Sequence, residues 1–256
     1  MIPLSQTTKL VEKKGNAASF EIEALYPGYG VTIGNTLRRV LLSSMEGAAA
    51  TQVKIKGASH EFSTIPGVLE DVITILLNLK QMRFKMHGEG PIRAILQVKG
   101  EKEIKGSHFK LPPEGELINQ DVHIATLTAK TAELDLELQI EKGVGYVPAE
   151  ERKQGKKEEI GVIALDAIFT PVSRVSFKVE NMRVGERTDF DKISLQIETD
   201  GTITPEDSLW RAAEILRSQF ELIGQGVKPE EKVKVEKPVK KTASTAVRRR
   251  GGKKKL

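Results

Sequence analysis

Apolar residues near the start of the chain repeat with a helical period. After Thr32, which is the expected N-cap, apolar or small side chains recur at i, i+4, i+7, i+8 and i+11, and Gly47 follows as a stop. These positions are Ile33, Leu37, Val40, Leu41 and Ser44. The pattern predicts one buried face on a short helix within residues 28–50.

The opposite side of this helix has an unusual composition. Leu42 lies there between Arg38 and Arg39, where a water-facing surface would normally be polar. Either this helix needs partners on two sides, or Leu42 is one of the singly exposed leucines found on many protein surfaces.

A second helix and two strands are predicted in the first eighty residues. Phe20, Ile22 and Ala24 alternate with charged residues as a strand does, and a short strand follows around residues 53–55. The segment from Val68 to Lys80 has helical spacing, and Pro66 and Gly67 fit its entry. Its apolar positions are Leu69, Val72, Ile73, Leu76 and Leu79.

Between residues 91 and 177 the hydrophobic period becomes two. Residues 92–98 and 134–140 alternate apolar and polar side chains, which predicts half-buried antiparallel strands. The charged segment 150–159 reads as a solvated loop. Strands are also predicted at 175–179 and 193–197, the latter ending in a turn at Asp200 and Gly201.

The last helix has the strongest terminal signals. Thr204 and Asp207 form a capping box around Pro205, and an apolar stripe runs from there to Gly224. The stripe contains Leu209, Ala212, Ala213, Leu216, Phe220 and Ile223. The helix either packs on its own core or binds a partner, because both uses require an amphipathic pattern.

Charge divides the chain into two unequal parts. Residues 227–256 hold 12 Lys and Arg against 3 Glu, and residues 1–226 hold 28 basic and 32 acidic residues. The tail is rich in Lys, Pro and Ser/Thr and has no apolar period, so it is predicted to be disordered. The acidic body favours protein binding over a nucleic-acid clamp. The tail either contacts DNA phosphates without sequence preference through Arg248–Arg250 and Lys253–Lys255, or is a solubilising tail without a defined partner.

Composition excludes several classes of site. There is no cysteine, so disulfides and thiolate metal sites are excluded. No secretory leader and no long uncharged apolar stretch is seen, so a cytoplasmic protein without a membrane span is expected.

The sequence shows no constellation typical of an enzyme. The four histidines are dispersed, and Gly28, Gly30 and Gly34 fit turn glycines better than a phosphate loop. Asp189 and Asp191 are the most suggestive pair for Mg²⁺, but the flanking Arg187 and Lys192 favour a charged turn. We therefore expect no catalytic residue, no metal ligand and no cofactor.

Four stretches carry a family resemblance. They are GYGVTIGNTLRRVLLSSMEGAAA (28–50), HEFSTIPGVLEDVITILLNLK (60–80), GVGYVPAE (143–150) and RVGERTDFDK (183–192). In order and spacing they closely resemble the N-terminal assembly domain of bacterial DNA-directed RNA polymerase α subunits, over about residues 17–224.

The resemblance implies an α+β fold of two interleaved domains. Residues 1–46 and 174–226 would form a dimerisation domain of helices on an antiparallel sheet, and residues 47–173 an inserted strand-rich domain. The family usually continues past a linker into a small helical domain that contacts DNA, and residues 227–256, the basic tail, do not match it.

The resemblance also implies a scaffolding role. Two copies would dimerise, one capturing the β subunit and the other β′, with ω and sigma joining in the holoenzyme and Mg²⁺ only in the catalytic partner. The β contacts would be Arg38, Arg39, Leu42, His60, Glu61, Phe62, Ser63, Tyr146, Val147 and Pro148. The β′ contacts would be Arg183, Arg187, Thr188, Asp189, Asp191 and Lys192. The dimer interface would be Ile33, Leu37, Val40, Leu41, Leu209, Ala213, Leu216 and Phe220.

Two other readings stay open beside it. One is a free-standing metal enzyme that uses Asp189 and Asp191, and the other is a nucleic-acid-binding protein that works through its basic tail.

Overall fold

A computed structural model describes residues 5–153 and 161–226. The predicted disorder of the tail concerns residues outside these ranges. The helices are α1 (Tyr29–Ser43), α2 (Val72–Leu79), α3 (Ala149–Lys153) and α4 (Pro205–Gly226). The strands are β1 (Lys9–Lys14), β2 (Ala17–Leu25), β3 (Glu46–Ile55), β4 (Phe84–Met86), β5 (Ile92–Lys99), β6 (Lys102–Lys105), β7 (Gly115–Leu117), β8 (His123–Leu127), β9 (Glu133–Val144), β10 (Tyr146–Val147), β11 (Val162–Ala164), β12 (Ala167–Ile168), β13 (Val172–Val184) and β14 (Arg187–Thr199).

The two ends of the described chain build one hydrophobic core, called here the first core. An antiparallel sheet of order β1-β2-β14-β13 carries α1 on its apolar face, and α4 packs beside α1. Phe20 of β2, Leu41 of α1, Leu195 of β14 and Ala212 of α4 meet in its interior. Residues far apart in sequence thus close the same core.

The middle of the chain builds a separate second core. Its main sheet has the order β5-β9-β3-β4-β7, with β11 paired to β3, and smaller sheets join β6 to β8 and β10 to β12. Leu134, Leu136, Leu138 and Ile140 of β9 alternate into this core, where α2 contributes Ile75 and Leu79. The fold is therefore mixed and strand-rich, with few helices.

The strongly alternating strands are confirmed, and so is the Thr204 half of the capping box. Strands β2, β5, β9, β13 and β14 cover the predicted segments. Thr204 Oγ1 accepts the Asp207 N–H at 3.1 Å and donates to the Asp207 carboxylate at 2.9 Å, immediately before α4.

Several predicted boundaries are wrong. Helix α2 begins at Val72 rather than Val68, because the Asp71 carboxylate accepts the Thr74 N–H at 2.9 Å and caps it there. Leu69, expected on the buried face of α2, is exposed. Gly47 lies inside β3 instead of stopping a helix, and the start of the predicted 150–159 loop is the short helix α3.

The strand β1 has no counterpart among the predicted elements. It pairs with β2 along the edge of the sheet, and all six of its residues are exposed. With no buried face it leaves no alternation in the sequence.

In the described part of the chain, no helix is long and apolar enough to cross a membrane.

Two glycines let α1 approach the sheet closely. A Cβ atom on Gly30 would lie 2.6 Å from Val179 Cγ1, and one on Gly34 would lie 2.6 Å from the Phe177 ring. The predicted role of turn glycine therefore applies only to Gly28, whose φ of 85° places it in the left-handed region. Gly30 and Gly34 instead form the contact face of the helix.

We predict that Gly34→Ala lowers the free energy of unfolding by about 1–3 kcal/mol, because the methyl group must displace the Phe177 ring. Gly224→Ala is the matched control, since a Cβ atom there meets nothing within 4 Å. The control should stabilise the chain by about 0.4–1 kcal/mol, as alanine does in an open helical site. Urea denaturation followed by circular dichroism measures both, and a stabilised Gly34→Ala would contradict the packing argument.

Candidate protein-binding surfaces

The C-terminal end of α1 presents the residues predicted to hold a large partner. Arg38 and Arg39 are exposed and Leu42 is half-buried against the first core. The strand β3 starts three residues after α1, and its Glu46 pairs with Val144 at the end of β9. This pairing brings the 145–148 turn beside the end of α1, and a Cβ atom on Gly145 would lie 3.4 Å from the Ser43 carbonyl oxygen.

An exposed apolar group surrounds this turn. Tyr146 is 58% exposed and pairs with Ile168 of β12, while Val144 precedes the turn on β9. Val147 and Pro148 are half-buried. Val144 and Ile168 were not among the predicted contact residues, because a two-residue strand and a strand end carry too short a pattern to reveal an apolar surface.

Asp166 holds the turn to α2. One carboxylate oxygen accepts the Ala149 N–H at 2.9 Å, and the other lies 2.7 Å from the Lys80 ammonium group. The hydrogen bonds from Lys80 and from Ala149 lower the pKa of this carboxyl group. The turn is therefore fixed before any partner binds.

The predicted loop His60–Ser63 lies elsewhere. It follows the far end of β3, and the ten residues of that strand span roughly 30 Å. Phe62 is the most exposed large hydrophobic side chain of the described residues, at 74%, and His60 and Glu61 are exposed as well. The Ser63 carbonyl accepts the Val72 N–H at 3.2 Å, which ties the loop to the start of α2.

Glu70 braces the segment behind this loop. Its carboxylate accepts the Thr126 N–H at 2.6 Å and lies 2.9 Å from His123 Nε2. Burial acts to raise the pKa of Glu70, but hydrogen bonds from Thr126 and His123 outweigh it, so the pKa is lowered. The ionised carboxylate therefore fastens this segment to β8.

The hairpin joining β13 to β14 lies near the opposite end of α1. Arg187 forms a forked pair with Asp189 at 2.6 and 3.0 Å, and its guanidinium carbon lies 5.1 Å from the centre of the Phe190 ring. The Arg187 hydrogen bond lowers the pKa of Asp189. Thr188 and Arg183 are also exposed, so this hairpin offers a compact polar surface.

Asp191 is not part of that surface, contrary to the prediction. Its side chain points inward, and Oδ2 accepts the N–H groups of Gly28 and Gly30 at 2.9 Å each. Asp191 thereby satisfies N–H donors at the N-terminus of α1. The predicted N-cap, Thr32, lies inside the helix, which begins at Tyr29. Lys192 beside it pairs with Glu21 at 2.7 Å.

The apolar stripes of α1 and α4 divide into buried and exposed parts. Leu37 and Leu41 are buried in the first core, so their predicted contact with a second copy is corrected. Ile33, Val40, Leu209 and Leu216 are half-buried, and Ala213 is exposed. Phe220 is 63% exposed, and Leu222 and Ile223 in the next turn are each 62% exposed. The end of α4 thus carries an apolar surface that its own chain does not cover.

Comparison with known proteins decides the family. A family model described as the RNA polymerase Rpb3/RpoA insert domain matches residues 53–170. DNA-directed RNA polymerase subunit alpha of Carboxydothermus hydrogenoformans is 45% identical over 220 residues, which are 86% of this chain and 69% of that protein. The chain belongs to the RNA polymerase α-subunit family.

Two further relatives support this. DNA-directed RNA polymerase subunit alpha of Thermus thermophilus is 49% identical over 78% of this chain and 64% of its own length. The Deinococcus radiodurans protein of that name is 46% identical over 82% of this chain and 61% of its own length.

This member of the α-subunit family spans 61–69% of the length of these relatives. The matched family model covers the second core, and the longer alignments extend over most of the chain. None of the predicted contact surfaces is tested by these similarities, so the assignments of individual residues remain predictions.

In the described part of this chain, no three His, Asp or Glu side chains lie together where they could hold a metal ion. Asp189 and Asp191 are each engaged by other groups, namely the Arg187 guanidinium and two backbone N–H groups. These contacts disfavour the metal-enzyme reading, which needs both carboxylates available to an ion.

We predict that Asp191→Ala lowers the free energy of unfolding by about 1–3 kcal/mol, because the buried Gly30 N–H and the partly buried Gly28 N–H lose their acceptor. Asp189→Asn removes a nearby carboxylate that is exposed, so it should leave the urea midpoint almost unchanged. Equal effects of the two substitutions on the urea midpoint would argue against the capping role.

Proposed function

We propose that this chain is the non-catalytic scaffold subunit of a DNA-directed RNA polymerase. In this proposal two copies dimerise, one holds the β subunit and the other holds β′, and the two large subunits close the active site between them. Nucleotide transfer and its Mg²⁺ belong to the partners, and ω and sigma join the assembled enzyme. The setting would be the cytoplasm.

The observation that carries the proposal is the uncovered apolar surface at the end of α4. Phe220 and Ile223 lie three residues apart on the same side of α4 and are each more than 60% exposed, whereas the exposed Leu222 lies about 160° around the helix from Phe220. Contiguous apolar surface of this kind typically marks a binding site for another protein. A second copy fits it because α1 lies alongside α4 and contributes the half-buried Ile33 and Val40.

The position of the arginines supports capture of a large subunit at the end of α1. Arg39 forms no ion pair with any residue in the described ranges, so its guanidinium group is available. Guanidinium binds carboxylates and carbonyls in a fork and is desolvated more readily than an ammonium group. The apolar side chains around Tyr146 and Ile168 supply neighbouring contact area.

The hairpin surface with Arg183, Arg187, Thr188 and Asp189 is the proposed β′ contact. It lies near the N-terminal end of α1, and the fifteen residues of that helix span about 22 Å. The two proposed capture surfaces therefore occupy opposite ends of one helix. The division into a dimerisation domain and an inserted domain is likewise proposed, supported by the two separate hydrophobic cores.

A tail-based nucleic-acid-binding protein is the weaker alternative. It requires only the basic residues 227–256, whereas the similarity to α subunits extends over 78–86% of the chain. Contact of that tail with DNA remains an additional proposal based on charge alone.

We expect Phe220→Asp to raise the dimer dissociation constant about 30-fold or more, because the dimer would bury an unpaired carboxylate. Trp210→Asp is the matched control: Trp210 is 66% exposed but lies about 160° around α4 from the buried Ala212. Analytical ultracentrifugation measures both. A dimer that survives Phe220→Asp at wild-type strength, or one that Trp210→Asp breaks equally, would contradict the assigned face.

We expect Arg39→Ala to reduce retention of the β subunit by about tenfold or more while the dimer persists. Arg174→Ala is the control, since Arg174 is an exposed arginine on β13, a strand of the sheet that carries α1. Tagged chain co-expressed with the β subunit and run on a sizing column gives the retained fraction. Wild-type co-elution of β with Arg39→Ala would remove this residue from the capture surface.

A further inference from the structure

The two cores are joined by two passages of the chain. One runs from α1 into β3 and the other from β12 into β13. Phe169 is wedged at these crossings: a Cβ atom on Gly143 would lie 2.7 Å from its ring, and one on Gly47 would lie 1.9 Å from its carbonyl oxygen. Both positions therefore require glycine, and the crossings form a tight pivot.

A second junction lies at the turn between β14 and α4. Asp200 Oδ1 accepts the Thr202 N–H at 3.0 Å and the Thr202 hydroxyl at 2.6 Å. Asp200 Oδ2 lies 3.6 Å from Nε of Arg83, a residue of the second core. The Asp200 side chain is 13% exposed, so the charge is largely shielded from water.

Both partners of this ion pair are held in place. Arg83 Nη1 donates to the Lys80 carbonyl at 2.9 Å, and the Arg83 N–H donates to Asn119 Oδ1 at 2.8 Å. On the other side, the Asp200 N–H donates to the Pro171 carbonyl at 3.0 Å. Each charge is thus fixed to the core from which it comes.

Between the pivot and this ion pair the two cores are separated by a cleft of about 390 Å³. Pro171 and Gly47 of the crossings line one side, and Thr202 of the turn lines another. Within residues 5–153 and 161–226, Arg83–Asp200 is the only ion pair that joins a residue of one core to a residue of the other.

We propose that Arg83 and Asp200 are positioning residues that set the angle between the two cores. The consequence for assembly rests on the proposed function: Arg39 extends from the first core, whereas Phe62 extends from the second core, far from the pivot at Phe169. A single large partner that contacts residues of both cores binds more tightly when their relative position is fixed beforehand. Opening the ion pair would let the cores pivot at Phe169 and move these surfaces apart.

Distance measurements between spin labels test the proposal directly. The chain has no cysteine, so Gln97→Cys on β5 and Gln196→Cys on β14, both exposed, place one label on each core. Labelled copies are diluted with unlabelled chain so that only distances within a copy are read by double electron–electron resonance. The unaltered pair should give one narrow distance distribution.

Asp200→Asn keeps an acceptor for Thr202 but removes the charge, and Arg83→Gln removes its partner. Each should raise the population of a second, displaced distance about fivefold. The two combined should do no more than either alone, because both break the same contact. Glu198→Gln, an exposed residue outside any described ion pair, is the control.

An unchanged distance distribution in both variants would overturn the proposal, whatever happens to β retention. A displaced distance together with wild-type β retention would also overturn it, because the angle would then not matter for capture. Failure of the proposed function is read separately, from retention of β by Arg39→Ala in a chain whose ion pair is intact.

Discussion

The helix α1 lies directly on β13 and β14 because two of its residues lack side chains and one carboxylate reaches its first turn. Gly30 and Gly34 remove the atoms that would collide with Val179 and Phe177, and Asp191 accepts two of the N–H groups that the helix leaves unpaired. The cap comes from a strand more than 160 positions later in the chain. The N-terminus of the helix is therefore satisfied only when α1 lies on this sheet.

The placement of the candidate surfaces follows from this docking. With one face pressed to the sheet, the helix turns Arg38 and Arg39 outward and directs its C-terminal end toward the crossing into β3. The same carboxylate that fixes its N-terminus belongs to the strand carrying Arg187 and Asp189. The positions of both proposed capture surfaces are therefore set by the geometry of α1 on the sheet, and a shift of the helix would move them together.

Features that depend on local pattern were predictable, and features that depend on distant residues were not. The alternation in β5 and β9 and the Thr204 side-chain cap on the Asp207 N–H each express a local rule, and both are confirmed. The start of α1 is not local: Thr32 looks like a cap, but Asp191 supplies it. Edge strand β1 was missed because none of its residues is buried.

The candidate surfaces show the same limit. Helical spacing alone could not distinguish Leu41, which is wholly buried, from Phe220, which is 63% exposed, because an amphipathic stripe looks alike against either kind of neighbour. Family likeness supplied the candidate contacts, including Asp191, whose burial places it in the support of α1 instead. Neither hydrophobic spacing nor family likeness could predict Ile168 as an exposed residue, since its strand has two residues and its exposure depends on pairing with Tyr146.

For the proposed scaffold, two cores joined by two passages of the chain would have a physical advantage over two domains on a linker. Because β3 leaves the first core and β13 returns to it, any rotation between the cores must bend both crossings around Phe169 at once. Two passages restrict that motion to roughly one hinge axis, whereas a single linker permits many orientations. One ion pair of modest strength at a distance from the pivot is then enough to select the angle, because it opposes a single motion.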